Sequence, residues 1–337
     1  MNRLSENPLD YSLLKHLTQA FGPSGSEEEV AEVIVEAVRP YCDEVRLDTL
    51  GNLIAIRKGS SGKRIMVASH MDEIGLMVTH IDAQGFLRFT TIGGIRIGDL
   101  PYRRVRLKNG RMGTIGMEKL EKPSELDLSK LFIDIGANSR EEAETLVGIG
   151  DTLAFVGEYT ELGSRVMSKG LDDRAGCFVA IEVLKRTRSP HELAFVFSVQ
   201  EEVGQRGAKV AAFALEPDLG IVLDVTRTGD TPKGLKMAVK LGGGVAIKVL
   251  DHSMVTPPKV KTWMANMAAQ REIPYQWEVL ENGGTDAGAI QLTKGGIPAG
   301  VLSIPTRHVH TPSEIVERED IEATLELLLA LLEDPRF

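Results

Sequence analysis

Hydrophobic strands that stop on a carboxylate or a histidine recur along this chain, and they limit what it can fold into. Lys63–Ser69 reads as a buried strand ending at His70, with Asp72 two residues on. Glu192–Gln200 runs into Glu201 and Glu202, Leu219–Leu223 into Asp224, and Ala299–Ile304 towards His308 and His310. Apolar runs of this kind, alternating with helical patterns, belong to strands buried on both faces of a largely parallel sheet. In open α/β sheets, ligands bind outside the carboxyl ends of the strands. Residues able to bind metal, repeatedly placed at strand ends, therefore predict one shared site.

The remaining pattern supports an α/β class. Residues 8–20, 26–39, 173–187, 209–214, 257–270 and 321–332 read as helices, and Val245–Val249 as a further strand. Ser26 and Glu29 have the spacing of a capping box, and Pro257 and Pro258 stand at a helix start. The character changes between about 74 and 165, where short β-prone pieces replace the alternation: Gly75–Ile81, Phe86–Thr91, Val105–Lys108, Arg111–Met117 and Thr152–Val156. Asn109-Gly110 predicts a type I′ hairpin. Met117–Asp134 has no periodicity and reads as a loop available for assembly. The expected architecture is an α/β/α sandwich with a mostly parallel central sheet, built from 1–73 and 166–337. A small β domain at 74–165 interrupts it.

Composition excludes several classes. A net charge of −9 over 337 residues argues against a dedicated nucleic-acid or anionic-membrane surface. Two cysteines, Cys42 and Cys177, cannot build a disulfide framework and fit a reducing compartment. The segment Met1–Pro8 lacks the apolar core of a signal peptide, and no run of about 18 apolar residues is present. The expected address is the cytoplasm. Gly242-Gly243-Gly244 lacks the spacing and the following lysine of a phosphate loop.

The strand-end residues suit metal chemistry. His70 and Asp72, two apart in extended chain, project to one side. Asp72 can therefore fix the ring tautomer and leave the other nitrogen for a cation. Asp172-Asp173-Arg174-Ala175-Gly176 reads most plainly as an acidic helix cap, although adjacent aspartates also allow one carboxylate to bridge two cations. Glu201 and Glu202 directly follow an apolar strand, which is costly unless they are solvated or paired with cations. Asp224 alone reads as a turn cap, and spacing does not choose between His308 and His310. Mixed imidazole and carboxylate ligands favour Zn²⁺, Co²⁺ or Mn²⁺ over Ca²⁺. Five ligands with one bridging aspartate suffice for two metals roughly 3.5–4 Å apart, which would acidify a shared water. A glutamate left free can then act as general base.

In this order, His70-x-Asp72, Asp172-Asp173-Arg174-Ala175-Gly176, Glu201-Glu202-x-Gly204, Asp224, Gly283-Gly284-Thr285-Asp286-Ala287 and Arg307-x-x-His310-x-Pro312 resemble the motifs of the M42 metallo-aminopeptidases. The resemblance spans nearly the whole chain. It implies hydrolysis of the N-terminal residue of peptides. His70 and Asp224 would hold one metal, Glu202 and His310 the other, and Asp172 would bridge them. Glu201 would be the base and Asp72 would orient His70. The resemblance selects His310 over His308, and puts Thr285 and Asp286 beside the peptide amino terminus. It also implies a phosphorylase/hydrolase-like catalytic domain and a PDZ-like insert. Through that insert, dimers would build up to a dodecamer. Some members carry an endoglucanase label, so a glycoside hydrolase is a competing reading. That chemistry sets two carboxyls across a sugar, a role ill suited to the adjacent Glu201 and Glu202. A non-catalytic metal-stabilised scaffold is the third reading, and it has no use for an unliganded base.

Overall fold

The structure, a computed structural model, describes residues 8–334. Met1–Asn7 of the segment read for a leader lie outside them. Among the described residues, no helix is long and apolar enough to cross a membrane.

The chain opens with α1 (Tyr11–Gln19), capped where the Asp10 carboxylate accepts the Ser12 N–H at 2.9 Å, followed by α2 (Glu28–Val38). Strands β1 (Glu44–Leu47), β2 (Leu53–Arg57) and β3 (Arg64–His70) come next. Then β4 (Gly75–Ile81), β5 (Leu87–Ile92), β6 (Arg104–Leu107), β7 (Met112–Met117), β8 (Leu131–Asp134), the short α3 (Arg140–Glu144) and β9 (Thr152–Phe155) make up a separate unit. Its six strands close into a barrel in the order β4-β5-β8-β7-β6-β9, around a core that includes Leu76, Leu107 and Ile133.

The chain returns through β10 (Thr160–Leu162), β11 (Arg165–Ser168), α4 (Leu171–Arg186), β12 (Glu192–Ser198), α5 (Arg206–Leu215) and β13 (Leu219–Thr226). It ends with β14 (Val245–Leu250), α6 (Pro258–Gln270), β15 (Tyr275–Val279), α7 (Asp286–Gln291), β16 (Ala299–Arg307), β17 (Glu314–Glu317) and α8 (Arg318–Leu332). These strands form an eleven-stranded sheet ordered β1-β2-β12-β3-β13-β16-β17-β11-β10, with β14 on β16 and β15 on β14.

The sheet is mixed, not mostly parallel. Parallel pairing is confined to β12-β3-β13-β16 and to β14 with β15. β1, β2, β17, β11 and β10 all pair antiparallel. The reason lies in the connections. Parallel neighbours need a long crossover, whereas short links such as those from β1 to β2 and β10 to β11 can only give antiparallel pairs.

Alternation along the middle strands builds a core on each face. Val67, Phe195 and Ile221 pack with Leu14, Ile34, Val179 and Leu325. Their neighbours Met66, Val196 and Val222 pack with Ala211 and Ile290. Because both faces are covered, the strands carry few polar residues until they reach their carboxyl ends. Register then levels those ends, with Ser198 opposite His70 and Asp224 opposite Ser303.

Three local expectations are corrected. Asn109 does not take a positive φ, whereas Gly110 does at 85°. The Gly110 N–H returns to the Leu107 carbonyl at 2.9 Å, so the hairpin is a type I turn closed by a glycine bulge rather than type I′. Met117–Asp134 is not all loop, since it includes barrel strand β8. The Ser26 capping box does not form: the Ser26 hydroxyl accepts from Thr152 at 2.9 Å, and α2 starts after Glu27 without a side-chain cap.

Candidate metal centre

The strand ends bring two groups of possible ligands together. His70, Asp172 and Asp224 form one, and Asp172, Glu202 and His310 the other, each with ligand atoms within 4.8 Å of one another. Asp172 belongs to both. Its two oxygens face different imidazoles: His70 Nε2 lies 3.0 Å from Oδ1, and His310 Nε2 lies 3.3 Å from Oδ2. Glu202 Oε2 is also 3.3 Å from His310 Nε2. Asp172 reaches this place because the backbone at Asp172 and Asp173 departs from helical angles before α4 settles. The Asp172–Asp173 peptide is cis.

Each imidazole has its other nitrogen engaged. His70 Nδ1 lies 3.2 Å from the Asp72 carbonyl and 3.4 Å from the Asp72 carboxylate. His310 Nδ1 lies 2.8 Å from the carbonyl of Gly94, a residue of the loop after β5. An N–H donated there leaves Nε2 as the nitrogen that could bind a cation in place of its proton.

Asp72 does more than face His70. Its carboxylate accepts the Ser24 hydroxyl at 2.6 Å, the Glu201 N–H at 3.0 Å and the Glu202 N–H at 3.2 Å. It therefore fixes the loop that carries both glutamates. Glu314, at the start of β17, plays the matching part elsewhere. One of its oxygens accepts the His310 N–H at 2.9 Å and the other the Asp172 N–H at 3.0 Å. His310 sits in the left-handed region at φ 64°, a conformation of some energetic cost that the Glu314 bond helps to hold.

Electrostatics show how well a cation fits. Burial pushes Glu202 up to about 7, against the pull of His310. Burial also lifts Glu201 and Asp224 well above the usual carboxylate range. His310 is raised to about 10 despite burial, by Glu202 and Asp172. Burial opposes ionisation of Asp172 as well, yet His310 and His70 together hold it well below its ordinary value. Glu202 Oε1 is buried without a hydrogen-bond partner. Clustered buried carboxylates with an orphaned oxygen are costly alone and favourable around cations. The donor set fits divalent metal.

A cavity of about 370 Å³ opens over these groups, also lined by Glu201, Gln205, Asn282, Gly283 and Gly284. Thr285 and Asp286 stand behind it. The Thr285 hydroxyl caps α7 by accepting the Ala287 N–H at 3.0 Å. Asp286 is buried and accepts the Ser198 hydroxyl at 2.5 Å, bracing the end of β12. His308 is exposed and lines a neighbouring cavity. Sequence reasoning missed Ser24, Gly94 and Glu314. Ser24 and Glu314 carry ordinary polar side chains in no recognisable pattern, and Gly94 acts through its carbonyl, so none leaves a readable signal.

Two groups of possible ligands sharing one carboxylate at the carboxyl edge of a mixed α/β sheet are an arrangement that suits a metal-dependent hydrolase. The chain belongs to the M42 glutamyl aminopeptidase family, whose profile matches residues 51–327. It is thus a peptide hydrolase. A provisionally named aminopeptidase of Acetivibrio thermocellus is 52% identical over 95% of this chain and 97% of its own. The solved structure of aminopeptidase APDkam598 from the archaeon Desulfurococcus kamchatkensis superposes with a TM-score of 0.92 at 39% identity, covering 96% of this chain and 94% of that one. The TET1 peptidase of Pyrococcus horikoshii, described as assembling into a tetrahedron or a large octahedral shell, gives 0.86 at 34% identity, with 96% and 99% covered.

Proposed function

We propose that this chain removes the N-terminal residue of peptides at a two-metal centre. The observation that carries the reading is the sharing of Asp172 between two ligand groups. In it His70 and Asp224 would hold one ion and Glu202 and His310 the other, with Asp172 shared between them. Zn²⁺ or Co²⁺, with Mn²⁺ as an alternative, matches the mixed nitrogen and oxygen donors. When bound, the ions supply an acidified water and polarise the scissile carbonyl.

The chain's own residues do the rest. Glu201 takes the proton from the attacking water and returns it to the leaving amine. It is suited to this because it lines the cavity, where burial raises its proton affinity above that of a free carboxylate. Asp72 orients His70 and holds the Glu201 backbone, so one side chain sets both ligand and base. Thr285 and Asp286 support the floor from behind rather than touching the peptide.

Residues 1–73 and 166–337 are the catalytic unit of this reading, a three-layer α/β/α sandwich of the phosphorylase/hydrolase type. Residues 74–165 are the insert, a PDZ-like β unit through which copies assemble, from dimers up to a dodecamer. The assembly described for the horikoshii relative supports this part. Two free cysteines, Cys42 and Cys177, accord with a cytoplasmic setting. The glycosidase reading loses ground on geometry, since Glu201 and Glu202 share one loop held by one carboxylate.

The test is Glu201→Gln. Metal content should stay at the wild-type level while turnover drops by about 10²–10⁴-fold. Full turnover in the variant would remove Glu201 from the base role.

A further inference from the structure

We infer that Lys248, a residue of neither ligand group, is a positioning residue for the reaction site. Through one buried chain of polar contacts it holds the strand end that carries Asp224 and the loop that walls the cavity in fixed register. The inference rests on the aminopeptidase reading above.

Strands β13, β16, β14 and β15 lie side by side in that order, and β15 is the edge. β15 runs straight into the loop at 280–284, whose residues Leu280, Asn282, Gly283 and Gly284 wall the cavity over the ligand groups. An edge strand has ladder bonds on one side only, so sheet pairing alone does little to place that wall.

Lys248 on β14 stands opposite Glu278 on β15, and both are buried, as is Asp251. Lys248 Nζ lies 2.5 Å from Glu278 Oε1 and 3.3 Å from Asp251 Oδ2. One arm runs towards the candidate metal centre. The same Glu278 oxygen accepts the Thr226 hydroxyl at 2.8 Å, and Thr226 ends β13 two residues after Asp224. The other arm runs towards the wall. Asp251 Oδ1 accepts the Ser253 N–H at 2.7 Å, the Ser253 hydroxyl at 2.8 Å and the Met254 N–H at 2.9 Å. The segment so ordered grips the loop: Ser253 Oγ accepts the Thr285 N–H at 3.2 Å, and the His252 N–H donates to the Gly283 carbonyl at 3.1 Å. Contact there is close, since a Cβ on Gly284 would lie 3.1 Å from the Ser253 Cβ.

One ammonium group therefore joins two sides of the cavity. Burying it with two carboxylates carries a desolvation cost, and apolar side chains of similar volume would usually hold the sheet as well or better. What the ionic contacts add is direction, which fixes register. The arms are separable, because Thr226 lies on one and Ser253 on the other.

The experiment cuts each arm in the full chain. It reads zinc affinity by competition with a chelator, beside kcat and KM on the best substrate of an N-terminal peptide panel. Thr226→Val should weaken one of two zinc equivalents about three- to tenfold, the worth of one net hydrogen bond. Thr226→Ser, which keeps the hydroxyl, should restore it. Ser253→Ala should raise KM about three- to tenfold and leave kcat and zinc affinity within about twofold, as loss of uniform binding does. Amides at 280–285 should also exchange hydrogen faster in that variant. The pair Lys248→Met, Glu278→Gln, which strands no glutamate charge, should show both defects. Wild-type zinc affinity in Thr226→Val together with wild-type KM in Ser253→Ala would overturn the inference. So would a lower melting temperature as the only change in all three. If the wild type cleaves no peptide, yet Thr226→Val weakens zinc and Ser253→Ala speeds exchange at 280–285, the positioning role stands and the aminopeptidase reading falls.

Discussion

Glu314 belongs to neither group of possible ligands, yet both groups hang on it. Its two oxygens hold the backbone N–H groups of Asp172 and His310. In Glu314→Gln an amide NH₂ would confront one of those donors. Metal affinity should fall about 10–100-fold, as measured by zinc titration against a competing chelator. Wild-type affinity would show that the ligands position themselves. Asp230 is a residue-scale case of a different kind. Burial opposes its ionisation, but the Arg307 guanidinium, helped by Thr228 and the Leu241 N–H, holds it down to about 2 from an ordinary 3.8. Ionised Asp230 therefore stabilises the fold above pH 3.8, and that contribution fades as the pH falls towards 2. Asp230 is exposed, so solvent screening cuts the contribution to about 1 kcal/mol. Urea denaturation of wild type and Asp230→Asn should differ by about that much at pH 6 and converge near pH 2. A difference that stays constant with pH would contradict the pairing.

Among the elements, the loop after β5 joins the barrel to the candidate metal centre. Gly94 supplies the carbonyl facing His310 Nδ1. Gly93 has φ 80°, and a Cβ there would lie 2.7 Å from Ile74 and 2.9 Å from Glu202 Oε2. Gly93→Ala should push the loop and Glu202 apart. Stepwise cobalt titration should then show weaker binding at the Glu202–His310 position than at the His70–Asp224 position. Equal loss at both would show that the loop is not coupled to one ion in particular. Where the chain leaves for the barrel and returns, Glu73 and Lys169 are paired at 2.8 Å in the interior. Ile92 pairs opposite Gly75, so both contacts anchor the barrel at the end where the chain enters it. Element types were readable where pattern is strong: β4 falls on the expected residues, and α6 begins one residue later than expected, at Pro258. They failed where local choice depends on distant partners. Ser26 gave up a cap for Thr152, and β8 is a strand only because β5 and β7 flank it.

For the whole molecule, two cores on one sheet explain why the site was legible. Buried faces demand apolar residues along β3, β12 and β13, so His70, Glu201, Glu202 and Asp224 stand out where the strands end. The grouping of these residues with Asp172 and His310 follows from strand order and register. What was not legible is the support beneath them. Ser24, Gly94 and, towards Asp172, Glu314 act through hydrogen bonds between segments far apart in sequence, and periodicity carries no trace of such pairs. The parallel fraction of the sheet was overestimated for a related reason, since edge strands as short as β1 and β10 carry little pattern.

The central claim is that peptide turnover depends on metal held at Asp172 and its neighbours. The most direct measurement is release of the N-terminal residue from a peptide panel, with metal content determined alongside. It is made on the purified protein, after chelator stripping, and after return of zinc or cobalt. The account predicts two metal equivalents per chain, loss of turnover on stripping and recovery on reloading. Turnover that persists in metal-free protein, or none with either metal at full occupancy, would contradict it.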